Sequence, residues 1–342
     1  MLWDLFCRVI DNFGDAGVCW RLACDLASRG ERVRLWLDDP SPLAWMAPGG
    51  HGGVEVIRWS EPAPARAPGD VVVEAFGCDP PAGFVARMAA APRAPVWINL
   101  EYLSAESFAE RCHGLASPQL SGPGAGLTKW FFYPGFTPAS GGLIRETDLA
   151  QRRQHFDRDT WLQTIGIQAL PGERLVSLFC YADAPLPALR DALAGEPTLL
   201  LATAGTSAPF THAALRCVAL PRLSQLDYDH LLWACDLNFV RGEDSFVRAQ
   251  WAGRPFVWQI YPQHDGAHWT KLQAFADRYL AAPPATLAEA LRSLWSVWNG
   301  AAGGLVLPAP EPWRAHSRNW CEQLQSQEDL GSRLIRFAGE KG

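Results

Sequence analysis

Apolar residues recur along the chain in two alternating rhythms. The runs LWDLFCRVI (2–10), VRLWL (33–37), VEVIRW (54–59), VVVEAF (71–76) and PVWINLEYL (95–103) are short and nearly continuous. Such runs suit strands of a parallel sheet, buried on both faces. Between the first two, Val18, Leu22 and Leu26 lie one turn apart on one face, and Gly30 follows as a C-terminal stop. Strand, tight loop, helix and strand within about 35 residues make a βαβ unit. The second half repeats the theme: RLVSLFCY (174–181), TLLLAT (198–203), LRCVAL (215–220), DLNFV (236–240) and PFVWQIY (255–261) read as strands. LPALRDAL, DYDHLLWAC and SFVRAQWAG read as the helices between them.

This alternation predicts an α/β protein with two Rossmann-like domains facing across a cleft. The polar stretch 149–172, with a helix of its own around Trp161, is the expected connection. The predicted limits are residues 1–155 for the first domain and 156–311 for the second, with a helical tail over 312–342 packing back on the first. Glycine and proline cluster at 47–53, 60–69, 121–126 and 299–311, marking surface loops. No internal repeat is evident beyond the βα alternation.

Composition narrows the class of function. At 342 residues the chain is too long for one small core. Its net charge of −6 and lack of a basic stripe argue against a general nucleic-acid binder. The 16 tryptophans imply large aromatic clusters, aromatic-lined pockets, or both. Nine dispersed cysteines without a CxxC pair read as reduced thiols in a cytosol. The acid at Asp4 and the absence of a basic leader argue against a signal peptide, and no apolar run is long enough to cross a membrane. The expectation is a cytoplasmic protein that binds neither nucleic acid nor membrane.

In open α/β sheets ligands bind beyond the carboxyl ends of the strands, so loops there carry the candidate chemistry. After the first strand, Asp11 and Asp15 flank Asn12, Phe13 and Gly14. Asp11 capping a turn and Asp15 capping the helix is one reading; two carboxylates at the working end of a site is the other. In NFVRGEDSF, Arg241 and Gly242 turn tightly, and Glu243, Asp244 and Ser245 start a helix whose N–H groups and dipole suit a phosphate. Acids also favour a first helical turn for dipole reasons alone, which weighs against a role for Asp244. Phe179 and Tyr181 share one side of a strand, either as core or as a surface for a planar base. Gln225 precedes a helix, where an isolated glutamine is ordinarily a solvated loop residue.

Other patterns carry less. Asp38 and Asp39 read as a turn rather than a metal pair. His264 and His268 lack an HExxH context, and no GxGxxG, Walker A or GxSxG motif occurs. A nicotinamide or other dinucleotide cofactor is therefore unsupported.

The blocks FCRVIDNFGDAGVCWRLA, WINLEYLSAES, FTPASGGLIRE, LFCY and VRGEDSFVRAQWAGRPFVWQIYPQ, in this order, resemble the protein-arginine rhamnosyltransferases that modify elongation factor P (EarP-like). The matching blocks run from about residue 2 to about residue 275. The resemblance implies a GT-B glycosyltransferase that moves rhamnose, with inversion, from dTDP-β-L-rhamnose to an arginine of elongation factor P. It implies no cofactor and no metal. Carried over, the catalytic acids are Asp11, Asp15 and Glu243, with Asn12, Phe13 and Gly14 lining the site. Phe179, Tyr181 and Gln225 would hold the thymidine part, and Arg241, Gly242, Asp244 and Ser245 the diphosphate and sugar. Two positions depart from the family pattern: Arg222 stands where an aromatic is expected, and Cys19 replaces a Ser or Thr.

The acids fit that chemistry. Arginine ionises only above ~12, so free deprotonation before attack is implausible, and a carboxylate pair can orient the guanidinium and take its proton as the bond forms. Asp15 is the expected base, Asp11 its orienting partner, and Glu243 either a stabiliser of the sugar's developing charge or a group that positions the acceptor. Another GT-B enzyme acting on a lipid would need a membrane-facing amphipathic helix, and none is evident. A non-catalytic nucleotide-sugar sensor would not need both Asp11 and Asp15.

Overall fold

The structure is a computed structural model that describes residues 1–9, 13–60, 65–263 and 266–342. The chain forms two compact units: unit 1 is Met1–Leu149 with Gln327–Gly342, and unit 2 is Ala150–Ser326. Unit 1 runs β1 (Leu2–Cys7), α1 (Gly14–Ser28), β2 (Arg32–Leu37), α2 (Leu43–Met46), β3 (Val54–Arg58), β4 (Val71–Ala75), α3 (Ala82–Ala89), β5 (Val96–Leu100), α4 (Ser107–Cys112), β6 (Ala116–Pro118) and β7 (Thr128–Phe132). The connection carries α5 (Leu149–Gln154). Unit 2 continues with α6 (Arg158–Thr164), β8 (Arg174–Leu178), α7 (Leu186–Leu193), β9 (Thr198–Ala202), β10 (Phe210–His212), β11 (Leu215–Ala219), α8 (Gln225–Ala234), β12 (Leu237–Arg241), α9 (Asp244–Ala252) and β13 (Phe256–Gln259). It ends in α10 (Ala267–Tyr279), α11 (Ala285–Trp298) and α12 (Pro310–Gln325), and α13 (Leu330–Lys341) belongs to unit 1.

Unit 1 holds a seven-stranded sheet in the order β3-β2-β1-β4-β5-β7-β6, parallel except for β6. Side chains of β1 alternate between two cores: Trp3, Leu5 and Cys7 meet α1, and Phe6 meets Trp36 and Phe84 on the other face. Asp4, fully buried on the same face as Phe6, accepts a fork from Arg34 Nε and Nη2, each at 2.6 Å, and the Trp36 indole at 2.7 Å. These bonds are what a buried carboxylate requires. Gly30 ends α1 in the left-handed region at φ 91°, with Glu31 N–H reaching back to Leu26 O. Helix α13 returns its Leu330, Leu334 and Ala338 to the same core as α1. Gly331 permits this approach, because a Cβ there would meet Asp25 Oδ2 at 2.1 Å.

Unit 2 holds a six-stranded sheet in the order β10-β11-β9-β8-β12-β13, with only β10 antiparallel. Its tryptophans join an aromatic core in which Phe246 of α9 stacks on Trp258 of β13 at 3.9 Å and Phe275 stacks on Trp295 at 5.6 Å. The predicted tail differs from the structure in extent. Helix α12 packs on α9, with Trp320 donating to Gln250 Oε1 at 2.8 Å, so it is part of unit 2. Only residues 327–342 rejoin unit 1, because the apolar face that matches the α1 core lies on α13. Among the described residues no helix is long and apolar enough to cross a membrane.

Candidate active site

Each sheet has one place where its strand order reverses: between β1 and β4 in unit 1, and between β8 and β12 in unit 2. Loops leaving the carboxyl ends on either side of such a point diverge and open a crevice for ligand. Of the predicted residues among those described, Phe13, Gly14 and Asp15 follow β1, and Phe179, Tyr181 and Arg241 to Ser245 lie at the ends of β8 and β12, whereas Gln225 opens α8 after β11.

In unit 1 the loop after β1 leads into α1. Asp11 and Asn12 lie outside the described residues. Phe13 is the N-cap residue and gives no side-chain cap; its exposed ring meets Trp45 edge-on at 5.4 Å. Gly14 opens the helix, so Asp15 is its second residue and not its cap. That corrects the capping alternative: Gly17 N–H already bonds Phe13 O at 3.0 Å, two residues earlier than a cap at Asp15 allows. Asp15 is 4% exposed and faces the end of β1. The Cys7 thiol is pushed far up by its bond with Cys19 and by burial, and the Asp15 and Asp38 carboxylates add to it. Asp38 meanwhile accepts Val9 N–H at 2.9 Å, tying the ends of β1 and β2 together.

Beside this loop, unit 1 contains a cavity of about 540 Å³ lined by Arg8, Asp79, Trp97, Gln119 and Lys129 among others. Lys129 Nζ lies 2.5 Å from Glu74 Oε1 and 4.4 Å over the Trp97 ring, and the Trp97 indole donates to Glu74 Oε2 at 3.0 Å. Burial pushes the Glu74 carboxyl up to about 7, against the opposing pull of Lys129.

In unit 2, Phe179 and Tyr181 leave β8 with Arg241 between them. The Arg241 guanidinium carbon sits 4.2 Å from the Phe179 ring and 4.6 Å from the Tyr181 ring, and Nη1 donates to Cys180 O at 3.0 Å. This guanidinium–aromatic stack was not foreseen, since sequence spacing placed the rings but not the arginine. Gly242 adopts φ 65°, a left-handed turn that favours glycine. The turn is pinned by Trp258 Nε1 donating to Gly242 O at 2.8 Å and by Gly242 N–H donating to Gln259 O at 3.2 Å. Glu243 is the N-cap residue of α9 without a side-chain cap bond. Ser245 Oγ accepts Arg241 N–H at 3.2 Å and donates to Arg241 O, so the hydroxyl closes the turn. Gln225 opens α8, is 8% exposed, and points its amide toward Asp244 Oδ2 at 3.4 Å. It is a buried residue linking two helix starts, not a solvated one.

Gln259 is the residue that the sequence reading missed. Buried at the end of β13, its Oε1 accepts Tyr181 N–H at 2.7 Å and its Nε2 donates to Asp183 Oδ1 at 3.0 Å, so one side chain fixes the loop after β8. The available signal was a lone amide closing an otherwise apolar strand, PFVWQ. Among the described residues no group of three or more His, Cys, Asp or Glu side chains could hold a metal ion.

The chain as a whole is similar to known proteins. The family model for the elongation factor P (EF-P) rhamnosyltransferase EarP matches residues 3–339. A protein-arginine rhamnosyltransferase of Pseudomonas aeruginosa is 44% identical over 98% of each chain, and one of Neisseria meningitidis is 34% identical over 98% of this chain and 96% of its own. A solved structure concerning EarP-mediated arginine glycosylation of translation elongation factor EF-P is 32% identical, covers 99% of each chain and gives a TM-score of 0.68. The Streptomyces glycosyltransferase SsfS6 (TM-score 0.54, 10% identity) and Arabidopsis UGT89C1 (0.55, 11%) share the fold alone, which is GT-B. The protein is thus a glycosyltransferase that moves rhamnose to arginine, and the chain belongs to the EarP family of elongation factor P rhamnosyltransferases.

Proposed function

We propose that the donor is dTDP-β-L-rhamnose, that the acceptor is an arginine of elongation factor P, and that transfer inverts the sugar's anomeric centre without a metal. The acceptor is supported by the family's name, which specifies that factor. The observation that carries the catalytic part is the position of both residue clusters at switch-point loops, with Asp15 buried at one and the Arg241 stack and start of α9 at the other.

In unit 2 the Phe179–Arg241–Tyr181 stack and Gln225 supply ring faces and an amide for the thymidine part. The Gly242 turn and start of α9 present N–H dipole to the diphosphate. Ser245 joins them by exchanging its bond to Arg241 O for one to a phosphate oxygen. In unit 1, Asp15 accepts a guanidinium N–H, with Asp11 orienting the planar group through a second pair of oxygens. The nitrogen forms its bond to the anomeric carbon as the bond from that carbon to the diphosphate oxygen breaks. The proton leaves to Asp15 and the negative charge leaves with the diphosphate. Glu243 offsets the positive charge that develops on the sugar. Because the helix start and Arg241 meet the leaving charge, chelation by EDTA is expected to leave the rate unchanged; a rate lost to EDTA and restored by a divalent cation would overturn metal independence.

Asp15→Asn tests the assignment of the base. It keeps the shape of the side chain and removes the proton acceptor, so transfer should fall by at least ~100-fold, the usual worth of a general base. Binding of the nucleotide sugar, measured by calorimetry, should stay within about twofold, because the donor residues belong to unit 2. Undiminished turnover in that variant rules out Asp15 as base.

A further inference from the structure

The strands of unit 2 run from one edge of the sheet, where Asp236 and Arg254 stand before β12 and β13, to the donor-side loops at the other. A five-residue strand separates those edges by about 16 Å. At the starting edge lies a second cavity, of about 340 Å³, lined by Arg153, Phe156, Arg158, Trp233, Arg254 and Arg318. Four guanidinium groups thus converge on one concavity in a chain whose net charge is −6.

Local structure accounts for one of the four. Arg153 Nη1 donates to Trp251 O at 2.6 Å, complementing the carbonyl end of α9 beside the Gly253 cap. The side chains of Arg158, Arg254 and Arg318 make no hydrogen bond or salt bridge among the described residues. The acid that acts on Arg254 is Asp236, and its oxygens are engaged by Leu175 N–H at 3.0 Å and Arg314 Nη2 at 3.2 Å. Burial pushes the Arg254 guanidinium below its ordinary value, Asp236 pulls it up, and Arg314, Arg153 and Arg158 push it down again. A half-buried cation among cations has an electrostatic deficit that an anion would fill.

The wall of the cavity is rigid and aromatic: Phe156 meets Trp233 edge-on at 5.4 Å and stacks on His230 at 5.2 Å. Guanidinium forks match phosphate oxygens in pairs, and the volume is at the small end of ligand pockets. We propose that this cavity is a second anion site that binds a small phosphorylated molecule, separate from the donor-side loops. Helix α9 joins the two places, with Gly253 closing it at the cavity and Glu243 beginning it at the donor side.

Calorimetric titration of the full chain with inorganic pyrophosphate, in excess thymidine diphosphate to occupy the donor side, tests the proposal. Saturable uptake that weakens with added salt is expected. Arg158→Ala/Arg318→Ala should weaken it at least tenfold while far-UV circular dichroism and melting temperature stay unchanged. Should the double variant fold poorly, Arg318→Glu, on an exposed side chain, should still weaken uptake at least fivefold. Absence of saturable uptake, or uptake of equal affinity in the wild-type chain and a folded variant, overturns the proposal.

Discussion

Helices α8 and α9 are clamped one turn below Gln225 and Asp244, the residues they present at the proposed donor side. Asp229 accepts a fork from Arg248, with Nε at 2.8 Å and Nη2 at 2.7 Å, and both side chains are 1% exposed or less. Arg152 Nη1 adds a cation 3.5 Å from Asp229 Oδ2. Four residues separate Asp229 from Gln225, and four separate Arg248 from Asp244, so the pair sets the spacing of the two helix starts. Replacing Asp229 by Ala leaves a buried guanidinium without its counter-charge, which costs about 3–5 kcal/mol. For a unit of this size each kcal/mol lowers the melting temperature by about 2–4 °C, so a drop of roughly 6–20 °C is expected. Calorimetric melting of wild type and Asp229→Ala reads it directly. The double variant Asp229→Leu/Arg248→Met should recover much of the loss, because removing both charges removes the desolvation cost with the attraction. A single variant that melts within about 2 °C of wild type, or a double variant that melts as low as the single, refutes the reasoning.

Three further outcomes follow from named contacts. Trp258→Phe keeps the ring stacked on Phe246 but deletes the bond to Gly242 O, at about 1 kcal/mol of stability; donor affinity should fall by roughly fivefold, and an unchanged dissociation constant would show that this turn does not position the donor. Gly331→Ala places a methyl 2.1 Å from Asp25 Oδ2 at the α1–α13 contact; it should destabilise unit 1 by about 1–3 kcal/mol in urea titration, and a neutral result would mean that α13 shifts without cost. Glu74 has its carboxyl raised from 4.5 to about 7 by burial, so the folded state holds the proton more tightly than the unfolded chain. Its contribution is complete below 4.5 and is lost as pH rises to about 7, on the order of 3 kcal/mol at most. Wild type should therefore lose stability relative to Glu74→Gln between pH 4.5 and 7, and parallel urea midpoints across that range would contradict it.

Most strand runs were legible because parallel strands buried on both faces need continuous apolar residues, as in β1, β2, β4, β5, β8, β9, β12 and β13, while β3 and β11 fall in the runs VEVIRW and LRCVAL although they are partly exposed. Strands β6, β7 and β10 escaped: β6 and β10 have only three residues each and pair antiparallel at a sheet edge, and β7, TKWFF, is only half-buried over four of its five residues. The extent of the tail was misread because α12 and α13 are both amphipathic, and pattern alone does not say which core each face matches. At the candidate site, position in the chain put Asp15, Arg241 and Ser245 forward as candidates. It did not reveal that Arg241 lies between two rings or that Ser245 closes its own turn, since those depend on loops from β8 and β12 meeting at one switch point. Gln259 and the burial of Gln225 were hidden for the same reason: an amide acquires its role from partners distant in sequence.

The most direct test mixes the purified chain with dTDP-β-L-rhamnose and elongation factor P and follows the intact mass of the factor. The expected outcome is a gain of one deoxyhexose, located by peptide fragmentation on an arginine and absent when that arginine is replaced by lysine. No gain is expected with Asp15→Asn. An unmodified factor under conditions where the enzyme binds the donor, or a sugar found on a residue other than arginine, would contradict the proposed reaction.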